Sequence, residues 1–180
     1  MIDKIKNFYM VDIETLGRIC APIIQIGAVY VEDLEIVDTL SANIDWDDLN
    51  NYNFKYDPDT IKWWLNQDKD AINSVINSEV EYKLKDALFK LELFLNSTTD
   101  VIFNHSTFDA PNINNAFIET CNYNPIQYRR WKDLRSMDLF LPKIKLIRTG
   151  VHHSAADDAV YQSEYLIKQL KEYENDRTDT

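Results

Sequence analysis

The chain has 180 residues, 45% of them hydrophobic, which fits one compact domain able to bury roughly 70% of its unfolded surface. Its two cysteines, Cys20 and Cys121, lie in unrelated contexts without zinc-ribbon spacing, so neither a disulfide framework nor a structural zinc is expected, and a reduced cytoplasmic setting is. A net charge of −11 argues against gripping nucleic acid by bulk phosphate attraction, and no apolar run approaches the ~18 residues that span a bilayer.

The N-terminus has mixed charge and no apolar leader, so none is expected. Asn7 to Ile13 is a short apolar, aromatic run that predicts a strand. Pro22 to Val31 predicts a second, and Ile36 to Ile44 a third, with turn residues Leu16-Gly17 and Glu32-Asp33 between them. The period then changes. Asp57-Pro58 is a cap with proline just inside it, and Ile61, Trp64 and Leu65 follow at helical spacing. Lys83 to Leu95 repeats apolar residues on one helical face. Asp100 to Asn104 predicts a fourth strand, followed by a helix from Thr107 or Asp109 to about Cys121. A short strand near Lys132 to Arg135, a helical turn after Ser136 and a last helix from about Ser154 to Tyr173 complete the chain. Strands first and then alternating helices and strands predict an α/β domain, a mixed sheet of about five strands flanked by helices, formed by residues 1–180 together.

Charge is uneven along this pattern. Arg129 to Arg148 holds seven basic residues and two acidic ones. The segment reads either as a phosphate-contacting edge or as solvated surface. Elsewhere the acidic excess is either plain solubility or carboxylates gathered to hold divalent cations.

Four places carry residues suited to chemistry. Asp12 and Glu14, at i and i+2, share one face of the first strand. Two acids on a buried face are costly unless cations resolve them, although Glu14 could also lie past the strand end in water. Asn104 to Asp109 ends a strand and puts an acid at a helix start, where ordinary capping is the simpler explanation. His152-His153 precede a helix that carries Asp157 and Asp158 in its first turns. Ser154 and Asp157 form a capping pair, which leaves Asp158 free, and histidine suits proton transfer near neutral pH. Trp63 and Trp64 face different directions on their helix. One is core, and the other could stack on a base. Together these places supply four carboxylates and an imidazole, an inventory that suits two-metal phosphodiester hydrolysis.

At this point the sequence resembles a known family. Asp12-x-Glu14, Asn104 to Asp109, and His153-x-Ala155-x-x-Asp158 look like the three motifs of the DEDDh 3′–5′ exonucleases, which have an RNase H-like fold. Asp12 to Gly17, Ile23 to Ala28 and Asp59 to Trp64 resemble the branch containing phage exonuclease A and the bacterial exoribonuclease RNase AS. His152 also has an aspartate five residues on, but only His153 has alanine at +2 as the family pattern asks, so His153 and Asp158 are taken as the pair.

The resemblance implies an enzyme that removes nucleoside 5′-monophosphates from the 3′ end of single-stranded RNA or DNA. Asp12, Glu14 and Asp158 would hold one Mg²⁺ or Mn²⁺ ion, Asp12 and Asp109 a second, and His153 would deprotonate the attacking water. Thr15, Leu16, Asn104, Phe108 and Trp64 are the expected substrate contacts. The rival reading is a catalytically silent nucleic-acid-binding or interaction module on the same fold. The tryptophan pair and the basic segment could instead belong to a homodimer interface.

Overall fold

The computed structural model describes residues 5–76, 81–97 and 99–178, so of the two polar ends residues 1–4 and 179–180 lie outside the described residues. One mixed sheet organises the chain, in the order β4-β3-β2-β1-β5-β6. Strands β1 (Phe8–Thr15), β2 (Ile23–Glu32) and β3 (Glu35–Ile44) form an antiparallel meander. Strands β5 (Val101–Asn104) and β6 (Trp131–Asp133) extend it in parallel beyond β1, and β4 (Glu81–Tyr82) pairs in parallel with β3.

Helices α1 (Trp46–Leu49), α2 (Pro58–Trp64) and α3 (Lys69–Ile76) fill the crossover after the meander. Then come α4 (Leu84–Phe94), α5 (Asp109–Cys121) and α6 (Ala155–Thr178). Asp57 caps α2 by accepting the Asp59 amide at 3.0 Å, with Pro58 at the first helical position.

Alternation along β1 divides its side chains between two cores. Tyr9, Val11 and Ile13 pack with Leu84, Leu88 and Leu91 of α4 and Ile113 and Phe117 of α5. Phe8 and Met10 pack on the opposite face with Ala159, Leu166 and Leu170 of α6. Asp12 and Glu14 continue that second face, so the acids emerge on the side of the sheet that α6 covers.

The sheet has six strands rather than about five. The additional one, β4, has two residues, too few to show alternation, and exists because Asn43 and Ile44 pair with Glu81 and Tyr82. Strand β1 runs on to Thr15 instead of stopping at Ile13, because β2 still offers partners: Glu14 opposes Gln25, and a bulge follows before Thr15 opposes Ile23. Glu14 therefore lies on the strand and is half-buried. Leu134 and Arg135 belong to a 3₁₀ helix (Leu134–Leu139), not to a strand, because the Asp133 carboxylate accepts the Ser136 amide at 3.1 Å and starts the turn.

Candidate active site

A cleft of about 490 Å³ opens where the C-terminal end of β1 meets the starts of α5 and α6. Its floor is Asp12 and Glu14. Gly27 lies directly across from Asp12 on β2, and a Cβ there would overlap the Ala155 backbone. The missing side chain lets the first turn of α6 rest on the sheet. Gln25, across from Glu14, fixes the same turn: its Oε1 accepts the Ala155 amide at 2.6 Å, and its Nε2 donates to Asn43 at 2.7 Å. This placement carries Asp158, one turn into α6, to the acids of β1. Ligand oxygens of Asp12, Glu14 and Asp158 lie within 4.8 Å of one another.

The second wall is the turn between β5 and α5. Asp109 is 1% exposed, and its Oδ2 accepts the His105 amide at 2.7 Å. The helix-capping role expected of it is not seen: the amide it accepts belongs to the turn before α5, and the helix start has no side-chain cap. Its place is in the cleft, where Asp109, Asp12 and His105 form a second group of potential ligand atoms within 4.8 Å.

His153 completes the wall formed before α6. Its φ of 64° is left-handed, a strained conformation for a residue with a Cβ. That turn stacks its ring 3.8 Å from His152 and sets it edge-on to Trp63 at 4.7 Å. Atoms of His152, His153 and Asp158 also group within 4.8 Å. Asp157 has a structural task, but not the expected one. It reaches back past Ser154 and accepts the Val151 amide at 2.7 Å, because the chain loops up through Gly150 at a φ of 78°.

The acids are poorly solvated and face one another. Burial pushes Asp12 up to about 7, against a 2.8 Å hydrogen bond from Gln162 and the charge of Arg148. Burial raises Glu14 well above the carboxylate range, and the charges of Asp12 and Asp109 raise it further. Burial and the charge of Asp12 raise Asp109. His153 is lowered, first by burial and then by His152 and Arg148, which favours the neutral imidazole. Arg148 is ion-paired with Asp158 and stacked 4.9 Å over the Tyr161 ring.

The structure thus brings Asp12, Glu14, Asp109, Asp158 and His153 together, with Phe108 on the rim. It does not bring the other expected contacts to the cleft lining. Thr15 is buried, its hydroxyl donating to the Gly17 carbonyl at 2.6 Å. Leu16 and Trp64 line a separate apolar groove, and the Trp64 indole donates to the Thr15 carbonyl at 2.9 Å. Asn104 is wholly buried, with both amide atoms unpartnered. Trp63, not Trp64, is the exposed tryptophan, and it supports His153. The sequence assigns no role to Gln162 or Gln25, although Gln25 lies within the Ile23 to Ala28 stretch that carries the resemblance. A single glutamine on a helix or in a strand carries no local signal, because each acts on a residue more than 100 positions away.

The expected basic edge divides. Arg130 is buried and donates to the Asp100 and Leu95 carbonyls, so it is structural. Arg135 and Arg148 line the cleft.

Solved structures confirm the class of fold. The nuclease domain of 3′hExo, described as a DEDDh family member bound to rAMP, has a TM-score of 0.65 at 14% identity, over 94% of each chain. E. coli ExoI in a zinc-bound complex with ssDNA has a TM-score of 0.62 at 14% identity, over 97% of this chain and 42% of that one. Cell-death related nuclease 4 (CRN-4) has a TM-score of 0.61 at 12% identity, over 93% of this chain and 64% of that one. The fold is that of the DEDDh exonucleases.

The profile of the Rv2179c-like 3′–5′ exoribonuclease domain matches residues 7–169, and the chain belongs to that family of 3′–5′ exonucleases. No curated protein sequence matches significantly. Among the described residues, no helix is long and apolar enough to cross a membrane.

Proposed function

We propose that the chain acts as a single exonuclease domain that shortens single-stranded RNA from its 3′ end with two divalent cations, Mg²⁺ or Mn²⁺, releasing nucleoside 5′-monophosphates. The observation that carries this reading is the convergence of Asp12, Glu14, Asp109 and Asp158 with His153 in one cleft. The family supports RNA as the substrate, and the reading fits the resemblance to the branch with phage exonuclease A and RNase AS.

The residues fit hard cations. Three of the four carboxylates are buried and the fourth is half-buried, their donors are oxygens, and Asp12 and Asp109 are held at a common charge conflict that cations would relieve. Asp12, Glu14 and Asp158 would hold one ion, and Asp12 with Asp109 the other. Bound there, the ions would acidify the attacking water and neutralise charge on the phosphate. His153, kept neutral by its surroundings, accepts the proton of that water at a ring nitrogen. Trp63 holds the imidazole edge-on, and Gln162 orients the Asp12 carboxylate. Phe108 on the rim presents an apolar face to the terminal nucleotide. The bond from phosphorus to the 3′ oxygen breaks, and the shortened strand departs with a 3′ hydroxyl.

The test is digestion of matched 3′-labelled and 5′-labelled single-stranded RNA and DNA with Mn²⁺, alongside Asp12→Ala. Stepwise shortening from the 3′ end, faster on RNA and lost in the variant, is the expected result. Intact strands after incubation with folded, metal-loaded protein would overturn the reading.

A further inference from the structure

The cleft has an unresolved charge problem. Its lining holds five acids, Asp12, Glu14, Asp109, Asp138 and Asp158, yet it must admit a polyanion. Among the described residues that line it, the full cations are Arg135 and Arg148. The two differ. Arg135 is exposed, and its charge is felt by Asp109 and His105 without an ion pair. Arg148 is ion-paired with Asp158, one of the acids assigned above to a cation. Its Nε is buried and has no hydrogen-bond partner.

We propose that Arg148 is the phosphate-binding group for the substrate, and that its ion pair with Asp158 gives way when the carboxylates hold cations. The inference rests on the exonuclease reading above and names a contact within it. A guanidinium on Oδ1 of Asp158 would compete with a divalent cation for that oxygen and repel it. Arg148 would give up that oxygen to a bound cation. It does not leave the cleft, because two anchors keep it there. The guanidinium stacks on Tyr161, on the next turn of α6 after Asp158. The loop that follows it is tied to α6 by the Asp157 carboxylate on the Val151 amide.

Released from Asp158 and still held over Tyr161, the guanidinium would have its donors free. The group that satisfies it there is an anion with paired oxygens, which is what a phosphodiester offers to the planar fork of arginine. Arg148 is thus exchanged between two anions, Asp158 before loading and phosphate afterwards. The same exchange helps an acidic protein handle a polyanion: with Arg135, one positioned arginine stands in for a broad basic surface. Arg130 and Lys132, which share the basic segment, are occupied by backbone carbonyls and contribute nothing to the cleft.

The test compares wild type with Arg148→Met and Arg148→Lys, each checked for folding by its melting temperature. Mn²⁺ affinity is measured calorimetrically without nucleic acid, and KM is measured on a short single-stranded RNA. The Met variant is expected to bind Mn²⁺ about tenfold tighter, because a competing cation is gone. It is also expected to show a KM about tenfold higher, the loss typical of one charge-assisted hydrogen-bonding group. The Lys variant, which keeps the charge but not the fork, is expected between Met and wild type on KM. Unchanged or weaker Mn²⁺ binding in both variants, or a KM within about twofold of wild type in both, overturns the proposal. Wild-type cleavage that Asp12→Ala abolishes shows that such a failure belongs to Arg148 and not to the exonuclease reading.

Discussion

Two helices each bring an aspartate to the cleft, and they do so by opposite means. Asp109 opens α5 and is fixed mainly by its neighbourhood: its carboxylate accepts the His105 amide four residues back, β5 delivers the turn, and the Ile13 amide of β1 adds a single distant contact. Asp158 sits one turn into α6 and is fixed from afar. Gln25 holds the first amide of the helix, Gly27 clears the space beneath it, and Arg148 balances its charge. One placement is local and the other tertiary, although both end within reach of Asp12.

The largest expected effects separate the two. Asp109→Asn and Asp158→Asn should each lower kcat/KM by at least about 10³-fold, since each removes a charged ligand. Their metal-free stabilities should diverge. In Asp109→Asn the side-chain carbonyl can still accept the His105 amide while a repelled buried charge is shed, so this variant should melt higher than wild type. Asp158→Asn strands the Arg148 guanidinium and should melt lower. Equal shifts in thermal melts would break the distinction.

Protonation offers the next test. The folded pKa values of Asp12, Glu14 and Asp109 lie above their unfolded values. The folded state therefore retains protons that the unfolded chain releases. As pH rises from about 4 to about 7, the stability these acids contribute should fall, for Asp12 completely only above pH 7, against a gain from the lowered histidines. Cations bind the deprotonated acids, so stabilisation by Mn²⁺ should grow across the same interval. Melts at several pH values, with Mn²⁺ and with chelator, read both slopes. An Asp12→Asn variant whose metal-free melts follow the wild-type pH slope would show that Asp12 is solvated.

The tertiary placement can be broken without touching an acid. Gly27→Ala drives a methyl group into the backbone of the first turn of α6 and should cost about 1–3 kcal/mol. Gln25→Ala leaves the Ala155 amide without its acceptor and should cost a similar amount. Both should depress kcat through Asp158 and His153. Full activity of Gly27→Ala would mean that α6 does not rely on the sheet for its position.

The same division decides what could be read in advance. The strands of the meander, the cap at Asp57 and the acid at the start of α5 are local patterns of alternation, proline and hydrogen-bonding residues, and they stand where the chain predicts them. The two-residue β4 and the longer β1 depend on a partner strand, so no window of sequence contains them. The four acids and the histidine were legible as a resemblance. Their convergence depends on Gly27 and Gln25, whose partner Ala155 lies far along the chain. Trp63 and Trp64 show the limit most directly. Helical spacing says that they diverge, but only packing against Thr15 and His153 decides which one is buried.

Trp63 supplies the smallest and most specific test. Its ring lies edge-on to His153 at 4.7 Å and shields one side of the imidazole, while 42% of its own surface stays exposed. Because Trp64 buries itself against β1, losing Trp63 should leave the fold almost unchanged. Trp63→Ala admits water to His153, and solvation favours the charged imidazolium. The pKa of His153, now held below its ordinary value, should rise. The acid limb of the kcat/KM profile should therefore move to higher pH, with a loss of only a few-fold on its plateau. His152→Ala removes a neighbouring charge that also depresses His153 and should shift the limb the same way. If Trp63→Ala lowers the plateau but leaves the limb in place, Trp63 acts on the substrate and not on the base.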